Sequence, residues 1–377
     1  MKGKQGLVCM GLLLVLSSCH TGKQITASGL QRKDFQTEVN GQHTDLFTLS
    51  NKQGMEVCIT NYGARVVSIL VPDRNGKRED VVCGFSTITE YMEQRQNFGS
   101  TVGRYIGRIL NARFTLDGVE YKLVPNNGKS GHISHGGNPG FADRIWKVEQ
   151  ADTHRVRLSY LSPDGENGFP GNLKVTLVYS LGEDDNALDL TYEATTDAPT
   201  VLNLSHHSFF NISGNFTKSV EDQQLWVDAD RFTPYDDKKC VTGEYLPVAG
   251  TPLDFRMPHT IGECIDADHP QLKVVNGYDH TWELNTKGDD TRPAAWVYDP
   301  TSGRKMEIFT TEPGIQIYTG NGLKGKMTGK RGIAYPFRSA VCFETMHFQD
   351  SPNQPGFPST VLRPGEVFRS HTVYKFE

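Results

Sequence analysis

The chain has 377 residues, a formal net charge of −5 and no run rich in lysine and arginine, so we do not expect a nucleic-acid partner. It is long enough for one large β domain or two smaller domains. Of its seven cysteines, Cys9 and Cys19 lie near the N-terminus. The others are odd in number, widely scattered and without a Cys-x-x-Cys pair, which argues against a disulfide framework and against a zinc site.

The N-terminal residues have the pattern of a targeting segment. An apolar run over residues 7–16 follows a basic start and is too short to span a bilayer. It ends in Leu16-Ser17-Ser18-Cys19, which resembles the lipobox of bacterial lipoproteins, where the signal is cut before a cysteine that becomes lipidated. An ordinary signal peptide with an incidental cysteine is the alternative.

From this segment we predict a signal peptide over residues 1–18, lipid attachment at Cys19 and a polar tether over residues 19–33. The protein would then be an exported lipoprotein anchored to a membrane, in the periplasm or at the cell surface. No later stretch of the sequence is apolar and long enough to cross a membrane.

The rest of the chain alternates apolar and polar residues with a period of two, the pattern of half-buried strands. One short helix is predicted over residues 87–96. The predicted strands, in chain order, cover residues 55–60, 118–123, 156–160, 173–181, 188–194, 305–309 and 316–319. We therefore predict an all-β fold, one large antiparallel β-sandwich over residues 34–377, with the site in its loops and concave face.

Two glycine-rich clusters precede the long strands. Gly103-Arg104 and Gly107-Arg108 place two arginines four residues apart, which could hold a carboxylate or hydroxyl groups, or form a surface ion pair. His135 stands before Gly136-Gly137, where the backbone can be closely approached, although a flexible loop with an incidental histidine has the same pattern.

Adjacent histidines, His206 and His207, lie in a segment with strand character. Neighbouring residues on a strand point to opposite faces, so one of the two could face a cavity while the other packs or is solvated. The same geometry disfavours a metal site built from both. The residues alone do not decide which histidine faces the cavity.

Two carboxylates complete the candidate set. Asp279 lies between Tyr278 and His280, a combination suited to sugar contacts, or simply a turn. Glu344 follows the apolar run of residues 340–343. A carboxylate among apolar neighbours tends to have a raised pKa, which suits a general base or acid, although an edge-strand glutamate facing water is the alternative.

Together these clusters resemble one family, the aldose 1-epimerases, also called galactose mutarotases. The resemblance runs from about residue 35 to the C-terminus. The segments that carry it are Gly107-Arg108, His135-Gly136-Gly137, His207-Ser208 with Phe210-Asn211, and residues 251–256, 277–280, 344–345 and 350–353.

The resemblance implies a large β-sandwich with an open cleft that interconverts the α and β anomers of free aldoses such as galactose and glucose, without a cofactor or metal. Glu344 matches the catalytic base that takes the proton from the C1 hydroxyl, and His207 matches the acid that protonates the ring oxygen. Arg108, His135 and Asp279 match substrate-binding positions, and Gln316 is a weaker candidate beside them.

Two departures from the family pattern leave the preferred sugar open. Ser134 stands where the family usually has leucine, and the loop over residues 128–133 is slightly enlarged. Two rival functions also stay open at this point. A glycoside hydrolase or lyase could use Asp279 and Glu344 as its two carboxylates. A surface sugar-binding protein could use His207 and Glu344 as hydroxyl ligands only.

Overall fold

The computed structural model describes residues 24–377, apart from the side chain of Lys129. The predicted signal peptide and Cys19 lie outside the described residues. Within the described part the strands pair antiparallel throughout the larger sheets, as alternating sequence segments joined by turns predict. The predicted all-β sandwich is confirmed.

The largest sheet has nine strands and contains the long predicted strands. Its strand Leu173–Leu181 alternates between buried and less buried side chains along its whole length, as the sequence predicts. In spatial order the sheet consists of Lys147–Ala151, Arg155–Ser162, Leu173–Leu181, Ala187–Thr196, Phe368–Phe376, Lys305–Thr310, Ala295–Tyr298, Gln224–Val227 and His259–Thr260.

Two further sheets lie across from it. The six-stranded sheet consists, in spatial order, of Phe209–Phe210, Val341–Met346, Gly314–Tyr318, Asp279–Glu283, Arg231–Thr233 and Leu246–Pro247. The four-stranded sheet consists of Leu46–Ser50, Glu56–Thr60, Arg65–Pro72 and Arg78–Asp80.

Short two-stranded pairs and helices connect the sheets. The pairs are Glu38–Val39 with Gln42–His43, Ser100–Val102 with Ser205–His207, Arg108–Ile109 with Ile133–Ser134, Arg113–Leu116 with Val119–Lys122, and Thr200–Val201 with Val361–Leu362. The α-helices are Ile88–Gln94 and Pro270–Val275. The 3₁₀ turns are Arg32–Phe35, Leu110–Ala112, Gly128–Ser130, Phe141–Asp143, Glu166–Gly168, Ile261–Glu263, Lys330–Gly332 and Ser351–Asn353.

One helix was predicted and one was not. Helix Ile88–Gln94 begins after Thr87, whose hydroxyl accepts the Glu90 N–H while the Glu90 carboxylate accepts the Thr87 N–H. This capping box satisfies backbone donors at the helix start. Helix Pro270–Val275 has only six residues, too few to show a helical period in the sequence. No helix within residues 24–377 has the length and apolarity needed to cross a bilayer.

A continuous apolar core fills the space between the nine-stranded sheet and the two smaller sheets. Leu177 and Tyr374 enter it from the large sheet, Val57 from the four-stranded sheet, and Ile317 and Phe343 from the six-stranded sheet. Each such buried side chain stabilises the fold by roughly 1.5–3 kcal/mol. The hydroxyl of Tyr374 also donates to the Phe343 carbonyl across the layers, at 2.9 Å.

The six-stranded sheet therefore has one face on the core and one face free for a site. On strand Val341–Met346, Val341 and Phe343 belong to the core between the sheets. Strand alternation turns Cys342 and Glu344 to the opposite face. The periodicity that builds the core thus also presents Glu344 away from it.

The described part of the predicted tether is packed on the domain. Thr26 and Leu30 are buried, and the Ala27 N–H donates to the Glu56 carboxylate at 2.7 Å. Ile25 and Gln31 form an isolated antiparallel bridge. Residues 24–33 therefore contact the four-stranded sheet, although the polar composition of residues 19–33 predicts a tether. The predicted boundary at residue 34 lies within the 3₁₀ turn Arg32–Phe35.

Candidate active site

A cavity of about 250 Å³ lies on the face of the six-stranded sheet that points away from the core. It is lined by all six residues singled out from the sequence: Arg108, His135, His207, Asp279, Gln316 and Glu344. These residues are up to 236 positions apart in the chain, so the fold alone brings them together.

The sheet register sets the floor of the cavity. Three neighbouring strands each contribute alternate residues to this face, and directly opposed residues on paired strands share a face. The pairing gives two cross-strand rows, Asp279–Tyr318–Cys342 and Thr281–Gln316–Glu344. Both carboxylates are thus fixed by rigid strands rather than by loops.

His207 stands beside Glu344 above this floor. The imidazole Nε2 is 3.3 Å from Oε1 of Glu344, and both side chains are almost completely buried. Burial lowers the pKa of His207 to about 4. Burial, reinforced by the charge of Asp279, raises the pKa of Glu344 well above its usual range. The pair is close enough to share one proton and sits where charge on either member is costly.

His206 faces the other way, as the strand geometry predicts. Its Nε2 lies 2.6 Å from the Ser208 hydroxyl, its Nδ1 lies 3.5 Å from the Tyr179 hydroxyl, and Tyr179 belongs to the core. Burial lowers its pKa to about 3, so it is a neutral packing residue. The structure thus places His207, and not His206, in the cavity.

Cys342 lies on the far side of the His207 ring. Its Sγ is 3.6 Å from Nδ1, whereas Glu344 lies against Nε2. Among the described residues, His207, Cys342 and Glu344 form one group with spacing compatible with a metal ion. The thiol and the carboxylate flank different nitrogens of one ring, however, which suits hydrogen bonding to the imidazole better than joint ligation of one ion.

Arg108 lines the cavity together with Asp279 and Gln316 of the floor. Gln316 donates from Nε2 to Oδ1 of Asp279 at 2.7 Å. Burial raises the pKa of Asp279, while Arg108 and this hydrogen bond act in the lowering direction. Burial acts to lower the pKa of Arg108, but Tyr235 and Asp279 outweigh it and the pKa is raised. A guanidinium and a carboxylate in one cavity can bind sugar hydroxyls as donor and acceptor.

His135 enters the cavity from a tight turn. Its φ is 52°, and its N–H donates to the Gly107 carbonyl at 2.9 Å. Its ring meets His207 edge to face at 5.5 Å, and burial lowers its pKa to about 3. Its Nδ1 has no partner in the described structure. The turn requires glycine at 136, because a β-carbon there would lie 2.0 Å from the Gly103 carbonyl oxygen.

Comparison with known proteins places this geometry in a family. The sequence profile of the aldose 1-epimerases matches residues 45–375. The chain belongs to the aldose 1-epimerase family. The six residues that the resemblance selected therefore lie together in a member of that family.

Relatives and solved structures agree with this membership. The galactose mutarotase of Sus scrofa is 39% identical over 330 residues, which cover 88% of this chain and 93% of the relative. The aldose 1-epimerase of Escherichia coli strain K12 is 36% identical over 340 residues, covering 89% and 96%. The crystal structure of an aldose epimerase homologue from C. elegans has a TM-score of 0.81 at 31% identity, covering 89% of this chain and 99% of that one.

One arginine of the two glycine-arginine pairs lies outside the cavity. Arg104 is buried, and its guanidinium donates to the carbonyls of Ser162, Pro170 and Gly171. Arg104 is therefore neither part of a surface ion pair nor a ligand-binding residue of the cavity, the two roles that the sequence left open. It fastens the 162–171 turn, whereas Arg108 alone of the two lines the cavity.

Several cavity residues were not assigned to the site from the sequence, although the segment Tyr318-Thr319-Gly320-Asn321 also fits the family pattern. Phe209 stacks on His207 with ring centroids 5.1 Å apart, and Tyr318 occupies the row of Asp279. Gln349 reaches the cavity from the segment after strand Val341–Met346. Strand alternation from Gln316 could have found Tyr318. Nothing in the sequence pattern fixes the direction of Gln349, because it lies beyond the strand.

A larger, more open groove of about 720 Å³ lies at the N-terminal hairpin, where Arg32, His43 and Glu149 contribute to its walls. It contains none of the six candidate residues. Of these two, the smaller cavity is the candidate active site, because it brings together Asp279 and the buried titratable groups His207 and Glu344.

Proposed function

We propose that this protein interconverts the α and β anomers of free aldoses by acid–base catalysis in the His207–Glu344 cavity. The observation that carries the proposal is the 3.3 Å approach of the imidazole Nε2 to the Glu344 carboxylate within a cavity of about 250 Å³. Membership of the aldose 1-epimerase family, and relatives named galactose mutarotase at 39% identity, support the reaction and the substrate class.

The reaction needs one proton removed and one delivered. Glu344 takes the proton from the C1 hydroxyl of the sugar, and the electron pair of that O–H bond forms the carbonyl double bond at C1. The bond from C1 to the ring oxygen breaks, and His207 donates its Nε2 proton to that oxygen. Rotation about C1–C2 presents the other face of the aldehyde, and the two residues exchange roles as the ring closes.

The buried pair has the proton count that this step requires. When the one shared proton is on His207, Glu344 is the base and His207 is the acid. Ring opening moves one proton onto Glu344 and one off His207, so the pair still holds one proton when the open chain forms. Burial disfavours charge on both groups. Without a sugar the proton therefore rests on Glu344, and both groups are neutral. A bound sugar would supply the hydroxyl dipoles that make the ionised form accessible.

The remaining residues would orient the sugar. Asp279 accepts from hydroxyl groups, Arg108 donates to them, and His135 lines the same cavity. Gln316 holds Asp279 through its hydrogen bond of 2.7 Å and so keeps the carboxylate facing the cavity.

Polarimetry of freshly dissolved α-D-galactose and α-D-glucose tests the proposal. We expect the protein to accelerate the decay of optical rotation, and Glu344→Gln and His207→Asn each to lower kcat by about 10²–10⁴-fold. Glu283→Gln is a matched control, since Glu283 lies on the same sheet outside the cavity, paired with Arg231. Wild-type protein no faster than buffer on a panel of aldoses would refute the proposal.

Two further measurements separate the rival functions. A glycoside hydrolase would release nitrophenol from nitrophenyl galactosides, and we expect no release. A sugar-binding protein would bind galactose without changing its rate of mutarotation. We also expect EDTA to leave the rate unchanged, because neither proton transfer needs a metal; loss of activity with EDTA would contradict this mechanism.

We further propose that the protein is exported and anchored to a membrane through a lipid on Cys19. The support is the Leu16-Ser17-Ser18-Cys19 sequence after a short apolar run. We expect wild-type protein in the membrane fraction and Cys19→Ala in the soluble fraction. Equal membrane association of both would contradict lipid anchoring while leaving the enzymatic proposal untouched.

A further inference from the structure

Gln349 occupies an unusual place at the edge of the cavity. It lies five residues beyond Glu344, after strand Val341–Met346 has ended, and it is only 4% exposed. A long polar side chain buried in a cavity wall has no packing advantage over an apolar one unless its polar atoms are used. The hydrogen bonds of its amide therefore indicate what it does.

The amide nitrogen of Gln349 is fully used by the protein. Nε2 donates to the Tyr235 hydroxyl at 2.7 Å and lies 3.4 Å from Oε1 of Gln316. The orientation of Gln316 is itself fixed, because its Nε2 donates to Asp279 and its Oε1 accepts from the Thr281 hydroxyl. Rotating the Gln349 amide would bring two carbonyl oxygens together, so Nε2 must face Gln316.

The amide oxygen of Gln349 is then left for a ligand. Within residues 24–377 no donor bonds to this Oε1, and it is not among the polar atoms sealed from solvent. Because Gln349 lines the cavity and is otherwise buried, the open side of Oε1 is the cavity itself. A fixed acceptor next to Gln316 in the cavity suits a hydroxyl donor.

The backbone just before strand Arg108–Ile109 leaves room for this side chain. A β-carbon at position 107 would lie 2.5 Å from Cγ of Gln349, and Gly107 has a φ of 76°. Residue 107 directly precedes Arg108, so Gln349 fills the space that a side chain at 107 would otherwise occupy beside the sugar. The position of the Gln349 side chain therefore depends on glycine at 107.

We infer that Gln349 is a specificity-determining residue whose Oε1 accepts a hydrogen bond from one aldose hydroxyl other than that at C1. The inference rests on the proposed function, because C1 and the ring oxygen are there assigned to Glu344 and His207. Sugars that lack the contacted hydroxyl leave this acceptor unpaired and are therefore poorer substrates.

The test uses D-galactose and its 2-, 3-, 4- and 6-deoxy derivatives with the full-length protein. Gln349→Met keeps the shape of the side chain without its polar atoms. We expect this variant to lower kcat/KM on galactose by about 10-fold, the size of one lost neutral hydrogen bond. With wild-type protein, kcat/KM for one deoxy sugar should be lower than that for galactose by a similar factor. Gln349→Met should not lower kcat/KM for that deoxy sugar any further.

The inference is wrong if Gln349→Met lowers kcat/KM for all five sugars by one common factor, or if it changes kcat/KM for none of them. Wild-type protein inactive on every sugar would instead refute the proposed function.

Discussion

Asp279 and Glu344 put two carboxylates into one buried cavity, and their mutual repulsion has a measurable effect. The charge of Asp279 adds to burial in raising the pKa of Glu344. The proton that Glu344 and His207 share then belongs to the pair, and pH profiles report macroscopic pKa values of the pair. Activity should fall at low pH, when the pair gains a second proton, and at high pH, when it loses its only one.

Asp279→Asn should therefore move both limbs of the pH profile of kcat to lower pH. Removing a nearby negative charge makes each protonation of the pair less favourable, whichever member carries the proton. The measurement is kcat by polarimetry from pH 4 to 9 with saturating sugar, since the variant also weakens binding. Limbs that stay in place while only KM rises would show that Asp279 does not act on the pair electrostatically.

Single site residues could be predicted from the sequence where a polar side chain stands among apolar or aromatic neighbours. Glu344 could be found because a carboxylate follows an apolar run, and Asp279 because it lies among aromatic residues. His207 could not be separated from His206 by residues alone, since strand alternation says only that the two differ. Gln349 was missed because it follows the end of a strand, where no period fixes the side-chain direction.

Among the elements, length decided what the sequence could predict. The strand Leu173–Leu181 has nine residues and alternates throughout, and it was predicted with the same bounds. Strand Ser205–His207 has three residues, too few for any period. The strands that supply His207 and Arg108 are of this short kind, so the architecture of the cavity came from tertiary pairing that sequence alternation does not encode.

Arg104 is a buried charged residue that stabilises one segment, the turn over residues 162–171. Its guanidinium satisfies carbonyls of the 162–171 turn, and within residues 24–377 no carboxylate bonds to it directly. Burial lowers its pKa to about 10, so it stays charged at neutral pH. Replacing it leaves several buried carbonyls without donors.

Arg104→Met should lower the free energy of unfolding by about 3 kcal/mol or more, because unpaired buried polar groups each cost about 1–3 kcal/mol. Urea unfolding followed by circular dichroism measures this. Arg155→Met is the control, since Arg155 is exposed on strand Arg155–Ser162. Equal stability of the two variants would mean that water replaces the guanidinium at the turn.

For the molecule as a whole, one histidine links stability to pH far from the cavity. His371 lies between two carboxylates, 2.6 Å from Asp189 on one side and 2.6 Å from Asp290 on the other. The hydrogen bond to Asp189, with that to Asp290, outweighs burial and raises the pKa of His371 to about 9. Both ring nitrogens can donate only in the protonated form.

Stability should consequently decline as the pH rises from about 6.5, the usual histidine pKa, to about 9. The raised pKa means that the folded state binds this proton more tightly, so its contribution is complete below 6.5 and lost above 9. Thermal unfolding across this range should show a decline that His371→Gln reduces and that the exposed control His154→Gln does not. Parallel curves for all three proteins would contradict the assignment.

The position of strand Phe368–Phe376 has a consequence for the order of events during synthesis. It lies between Ala187–Thr196 and Lys305–Thr310 in the interior of the nine-stranded sheet, yet the ribosome makes it after both of them. Until it emerges, those two strands have unpaired edges that can capture other chains. The two halves of the largest sheet therefore cannot join before the C-terminal strand has been made. Their joining is a late folding step that pairs segments far apart in the sequence.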